Sequence, residues 1–206
     1  MIDTGVSGTI PLRETVEKLI GVDHPLVVAH THAHGNHIAG GHQFVDRPDT
    51  VVVGHEPTEG ADLFEIENWS IEGSLLELGT RSIDIVPIPG HEPASIAFYD
   101  AQTGLLITGD TLYPGRLYVG DFVAFRSSIR RLVEFTSCRQ VTWVLGTHIE
   151  MTNQPGGDLE IRSPSHPSEC KLEVTREHLL EINEAVTGMG DEAKHEVHDD
   201  FIIAPV

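Results

Sequence analysis

The sequence predicts an α/β fold, and three observations predict it. Short apolar runs of strand type end abruptly in reactive side chains, as at Leu26–Ala29 before His32 and at Leu105–Thr108 before Asp110. A segment ahead of the first of these runs carries Leu12, Val16, Leu19 and Ile20 at helical spacing, opened by Pro11 and closed by Gly21. Strand end, helix and strand follow one another, which makes an α/β unit with its ligands at the strand tips. A length of 206 residues with 39% hydrophobic content suits a single domain spanning 1–206 with a sizeable core.

The remaining elements follow in order. Thr50–Gly54 reads as a short buried strand, and 56–74 as an irregular acidic stretch anchored by Phe64 and Trp69. Strands are expected at Leu75–Leu78, Ser82–Ile88, Ser95–Tyr99 and Leu105–Thr108, each bounded by Gly, Pro or Asp. A helix from about Arg126 to Phe135 has Ile129, Leu132, Val133 and Phe135 as its apolar positions, and Trp143–Leu145 is a further strand. Turn formers mark 151–170 as loop. Thr175 is placed to cap a helix through Val186, with Leu179, Leu180, Ile182 and Val186 inward and Gly188 at its end. An acidic linker with solvated His195 and His198 leads to a last strand, Phe201–Ala204.

Charge and composition exclude several classes of function. A net charge of −19 argues against nucleic acid, because that affinity comes from Lys and Arg neutralising phosphates. Cys138 and Cys170 are too few and too far apart for a disulfide framework or a zinc ribbon. No signal-peptide pattern and no apolar run approaching about 18 residues is present, which predicts a soluble, cytoplasmic chain that acts on a small molecule and not at a membrane.

Chemistry concentrates between Pro25 and Gly41, where His32, His34 and His37 arrive within six residues. On an extended segment, side chains two apart point to one side, so His32 and His34 can approach the same ion. His37 falls where the chain turns into a helix, which swings its ring to a neighbouring position. Imidazoles clustered at a strand mouth suit zinc, iron, nickel or copper.

Aligned on His37 and the glycines after it, the stretch reads His32-x-His34-x-Asn36-His37. It resembles the H-x-H-x-D-H signature of the metallo-β-lactamase superfamily, glyoxalase II-like branch, with Asn36 where the family has aspartate. Pro89-Gly90-His91, Gly109-Asp110 and Gly146-Thr147-His148 are similar to the later elements of that family, in its order. Ile2-Asp3-Thr4-Gly5 matches an I-D-T-G strand end that the family carries after several earlier strands. The resemblance therefore implies an αβ/βα four-layer sandwich with its N-terminal strands missing. It also implies an open sheet edge at Ile2, which a homo-oligomer would cover.

It further implies that His32, His34 and His91 hold one metal, that Asn36, His37 and His148 surround a second, and that Asp110 bridges them. Zn2+ is the expected ion, one tight and a second weak because Asn36 supplies no anion, with Fe2+ or Mn2+ as alternatives. A metal so held lowers the pKa of water from 15.7 to about 7, and the activity implied is hydrolysis of an ester, thioester, lactone or amide. Asn36 and Asp110 occupy the catalytic positions, but an amide cannot take a proton. Two other readings stand beside this one. An iron-dependent persulfide dioxygenase of the same superfamily would use His32, His91 and Asp110, and a regulatory relative would bind metal without turnover. Tyr113, Arg116 and Tyr118 either touch substrate or hold their loop. Only Arg162, Lys171, Arg176 and Lys194 offer positive charge near the C-terminus, so a glutathione thioester is not favoured.

Overall fold

The computed structural model describes residues 1–6, 10–69, 71–161 and 163–206, so Arg162 lies outside the described residues. In chain order its elements are α1 (Leu12–Ile20), β1 (Leu26–Val28), α2 (Gly35–Ile38), a 3-10 turn (Ala39–Phe44), β2 (Thr50–Val52) and α3 (Pro57–Phe64). Four strands follow, β3 (Ser74–Glu77), β4 (Ser82–Pro87), β5 (Ile96–Asp100) and β6 (Leu105–Gly109), then β7 (Arg116–Val119) and α4 (Phe122–Thr136). The chain ends with β8 (Trp143–Gly146), β9 (Glu173–Val174), α5 (Arg176–Gly188), β10 (Glu196–Val197) and β11 (Ile202–Pro205).

The largest sheet has six strands in the order β3-β4-β5-β6-β8-β9. Its pairings decide where the site can be. β4 and β6 both run antiparallel to β5, and β8 is parallel to β6, so β4, β6 and β8 point the same way. Their C-terminal ends share one sheet edge, and the turns that carry His91, Asp110 and His148 leave from it. β1 and β2 form a small parallel sheet, with Ile2 bridged to Ala29 on its outer side. Among the described residues no strand lies beyond Ile2.

Alternation along the strands sorts side chains to two cores. Val86, Ala97, Tyr99, Leu106 and Val144 meet Ile129 and Leu132 of α4 and Leu179, Ile182 and Val186 of α5. From the opposite face Ile85, Ile96 and Phe98 meet Ala29, Val53, Phe64 and Ile66. Helices α4 and α5 thus cover one face of the large sheet, and the small sheet and α3 pack against the other. β10, β11 and β7 form a third sheet whose central β11 is parallel to β7.

Several expectations are corrected. The acidic stretch after β2 contains α3, started by Pro57 in its first turn and a capping box between Glu56 and Glu59. Its eight residues are too short for periodicity to reveal. Helix α4 begins four residues before Arg126, because Asp121 accepts from the Ala124 N–H and caps it. Residues 116–119 are strand β7 and not loop. Leu180 is exposed, not inward. His198 is not solvated: it stacks on Phe201 and pairs with Glu181 and Glu196. Helix α1 forms where expected but buries no residue, and Leu19 is 80% exposed.

Candidate metal centre

The turns at the shared sheet edge converge on one carboxylate. Asp110 Oδ2 lies 3.5 Å from His32 Nε2, 3.6 Å from His37 Nε2, 3.6 Å from His91 Nε2 and 3.4 Å from His148 Nε2. His34 joins through Nδ1, which is 3.0 Å from His32 Nε2 and 3.2 Å from His91 Nε2. The donors divide into His32, His34, His91 and Asp110 on one side and His37, Asp110 and His148 on the other, each group's ligand atoms within 4.8 Å of one another. Asp110 belongs to both.

Local backbone makes this convergence possible. Asp110 follows Gly109, whose φ of +56° and close approach to Thr31 exclude a side chain. His37 sits in the short helix α2, and its turn sets its ring beside that of His32, with centroids 4.0 Å apart.

Outer hydrogen bonds fix which nitrogen each ring presents. His91 Nδ1 donates to the Tyr118 carbonyl at 2.8 Å, leaving Nε2 for the centre. His37 Nδ1 donates to Asp3 Oδ2 at 3.0 Å. The Thr31 hydroxyl donates to the same Asp3 oxygen at 2.9 Å and accepts from His32 Nδ1 at 3.1 Å. Asp3 therefore orients one imidazole of each donor group, directly for His37 and through Thr31 for His32. Asp3 has no evident role as a single residue of the sequence, although the I-D-T-G match was its signal. The Tyr118 carbonyl had no sequence signal, since backbone acceptors carry none.

Protonation divides the two groups as well. Burial holds His32 down at about 3 against the pull of Asp110, and burial also lowers His91. For His37 burial is outweighed by the hydrogen bonds to Asp110 and Asp3, which push it up to about 9. The Asp110 hydrogen bond raises His148. Burial opposes ionisation of Asp110, yet His148 and His37 hold its carboxyl far below the usual range. The lowered His32 and His91 present neutral, inward-facing nitrogens beside a permanent carboxylate, a donor set that fits a cation, while His37 must shed a proton to join it. The residues fit a metal.

Asn36 stands at the mouth of the second group. Its amide nitrogen is 2.7 Å from His37 Nε2 and 3.2 Å from His148 Nε2, and a half-turn of the amide would offer Oδ1 there instead. His30 and His55 stay outside the cluster, with rings 4.9 Å apart. Burial, then His55, lowers His30 to about 4. Above the centre an open cavity of about 420 Å³ is lined by His34, Tyr113, Tyr118, His148, Glu150 and Val206, among others.

Comparison with known proteins fits this geometry. The model of the metallo-beta-lactamase superfamily matches residues 1–188, and the chain belongs to that superfamily. It is 32% identical over 132 residues to a hydroxyacylglutathione hydrolase of Synechococcus sp. (strain JA-2-3B'a(2-13)), covering 59% of this chain and 51% of the relative. It is 26% identical over 198 residues to the acyl-coenzyme A thioesterase MBLAC2 of Homo sapiens, covering 72% of this chain and 68% of the relative. Against the hydroxyacylglutathione hydrolases it matches, the chain spans about half the relatives' length. Among solved structures, ETHE1 from Myxococcus xanthus superposes with a TM-score of 0.56 at 19% identity, over 91% of this chain and 73% of that one, a likeness of fold. These curated relatives are hydrolases, and no helix among the described residues is long and apolar enough to cross a membrane.

Proposed function

We propose that this protein is a metal-dependent hydrolase that cleaves an ester or thioester of a small molecule. The observation that carries the reading is the position of Asp110 Oδ2, 3.4–3.6 Å from four imidazole nitrogens. His32, His34, His91 and Asp110 would hold a first metal, while His37, His148 and the shared Asp110 would hold a second more weakly. A bound metal supplies Lewis acidity and water of low pKa.

The chain's own residues do the rest. Asp3, Thr31 and the Tyr118 carbonyl keep the imidazoles in the tautomer that faces inward. Asp110 is the one carboxylate in the two donor groups, so it supplies their shared negative charge. Its Oδ1 is engaged by the Thr147 hydroxyl, which leaves Oδ2 facing the imidazoles. Asn36 adds no second anion. The curated relatives support hydrolysis over dioxygen chemistry, and His34 supports it too, since the iron reading has no use for a fourth donor in the first group.

The test is a chelation and reconstitution series. Protein stripped with a chelator should lose hydrolysis of activated thioesters and regain it as zinc, iron or manganese is returned, in step with metal bound. His91→Ala should bind little metal and stay inactive. Persulfide-dependent oxygen uptake by the iron form, with no thioester cleaved by any form, would refute the hydrolase.

A further inference from the structure

We propose that the pocket above the metal centre selects its substrate by charge, taking an acyl ester or thioester whose leaving group bears an ammonium, and that Glu150 is the selecting residue. The proposal rests on the hydrolase reading but concerns the half of the substrate that does not react.

The observation is a cavity without a free cation. Among the described residues the lining contains no Lys or Arg, and beyond the metal-binding groups its charged side chain is Glu150. Arg116 comes nearest but is spent: its guanidinium is 2.6 Å from Asp158 Oδ2 and 3.5 Å from Glu150 Oε2, and it also donates to the Leu159 carbonyl. Two carboxylates thus face one guanidinium. Within Glu150 the contacts are lopsided, because Oε2 accepts from the Arg116 N–H at 3.0 Å and from the Tyr113 hydroxyl at 3.4 Å while Oε1 accepts from no described residue. Tyr113 and Tyr118 flank it in the lining. A carboxylate with one unspent oxygen beside the partly exposed ring of Tyr118 is the chemistry that recognises an ammonium. An anionic leaving group would meet Glu150 with no Lys or Arg in the described lining to offset it.

The reaction balances simply. Water's oxygen bonds to the acyl carbon, the carbon–sulfur bond breaks, and sulfur leaves with the electron pair and takes one proton of the water. The other proton is released as the acid ionises.

The experiment uses the zinc-loaded protein and one acyl group on three thiols: thiocholine, whose quaternary ammonium cannot capture the acyl group, N-acetylcysteamine and glutathione. The kcat/KM values should fall in that order, with the ammonium ester favoured over the neutral one by about fivefold, the upper end for a partly exposed ion pair. Glu150→Gln should collapse that ratio toward one, and Glu150→Lys should reverse it. Binding is measured separately by calorimetry with S-hexylcysteamine and S-hexylglutathione, which cannot be hydrolysed, and the first should bind more tightly only while Glu150 is present. Equal affinities, tighter binding of the glutathione thioether, no binding of either, or a ratio unmoved by both variants overturns the proposal. Failure to cleave any thioester, with the calorimetric ranking intact, would sink the hydrolase reading and leave charge selection standing.

Discussion

Restoring the missing anion tests the account of the second metal most directly. In Asn36→Asp a carboxylate replaces an amide that stands 2.7 Å from His37 Nε2 and 3.2 Å from His148 Nε2, within the shell of any ion those nitrogens hold. At about 4 Å a unit charge pair is worth roughly 4 kcal/mol at an effective dielectric near 20. Asn36 is exposed, so screening and dehydration remove at least half of that, leaving roughly 1.5–2 kcal/mol. Each 1.4 kcal/mol or so is a factor of ten, so the second equivalent should bind about ten- to thirtyfold more tightly. The same carboxylate strengthens the hold of His37 and His148 on their protons, so wild type and variant are best compared in titrations that extend above pH 9. Metal content after dialysis against a graded chelator reads the affinity, and hydrolysis of an activated thioester reads the rate, which should rise as a base is restored. His91→Ala in either background should strip the first metal instead. The reasoning fails if the wild type already holds two equivalents tightly and Asn36→Asp changes neither content nor rate.

Three further outcomes are expected. Because His37 is raised to about 9 and a ligand must shed its proton, affinity for the second equivalent should climb with pH by up to about tenfold per unit and level off above 9, with proton release visible by calorimetry in buffers of different ionisation heat. The first equivalent should show little of this in the same range, since His32 is neutral down to about 3. Asp3→Ala removes the partner of Thr31 and His37 and should weaken metal binding by about 10–100-fold, while Asp3→Asn, which keeps an acceptor, should lose less. Gly109→Ala would set a Cβ 2.6 Å from that of Thr31 at a φ of +56°, so a thermal melt should report a loss of roughly 2 kcal/mol or more together with lower metal content.

Much of the architecture was legible because its signals are local. Strand runs ending in Gly, Pro or Asp gave β3 to β6 to within two residues, and Thr175 capped α5 where its side chain said it would. The clustering of the histidines and Asp110 was legible for a different reason: a histidine or aspartate directly after a strand is a tip residue whatever the topology. What escaped was set by distant partners. β7 has a weak pattern of its own and is a strand because β11, more than 80 residues later, lies parallel to it. His198 looks solvated in an acidic linker, yet Glu181 from α5 and the ring of Phe201 enclose it. Arg116 reads equally as a substrate contact or a loop brace, and only the approach of Glu150 and Asp158 assigns it to the brace.

The centre draws on Asp3, the His32–His37 turn, and the ends of β4, β6 and β8, so its parts are spread along the chain from residue 3 to residue 148. Contacts of that separation form late, after the loops between them have closed. During synthesis the histidines of the first turn emerge well before Asp110 exists to neutralise a cation, and a metal met then would find three loose imidazoles and no cage. Metal binding at this centre would therefore follow folding, and imidazoles with one carboxylate, which suit several divalent ions, would take the one their surroundings offer.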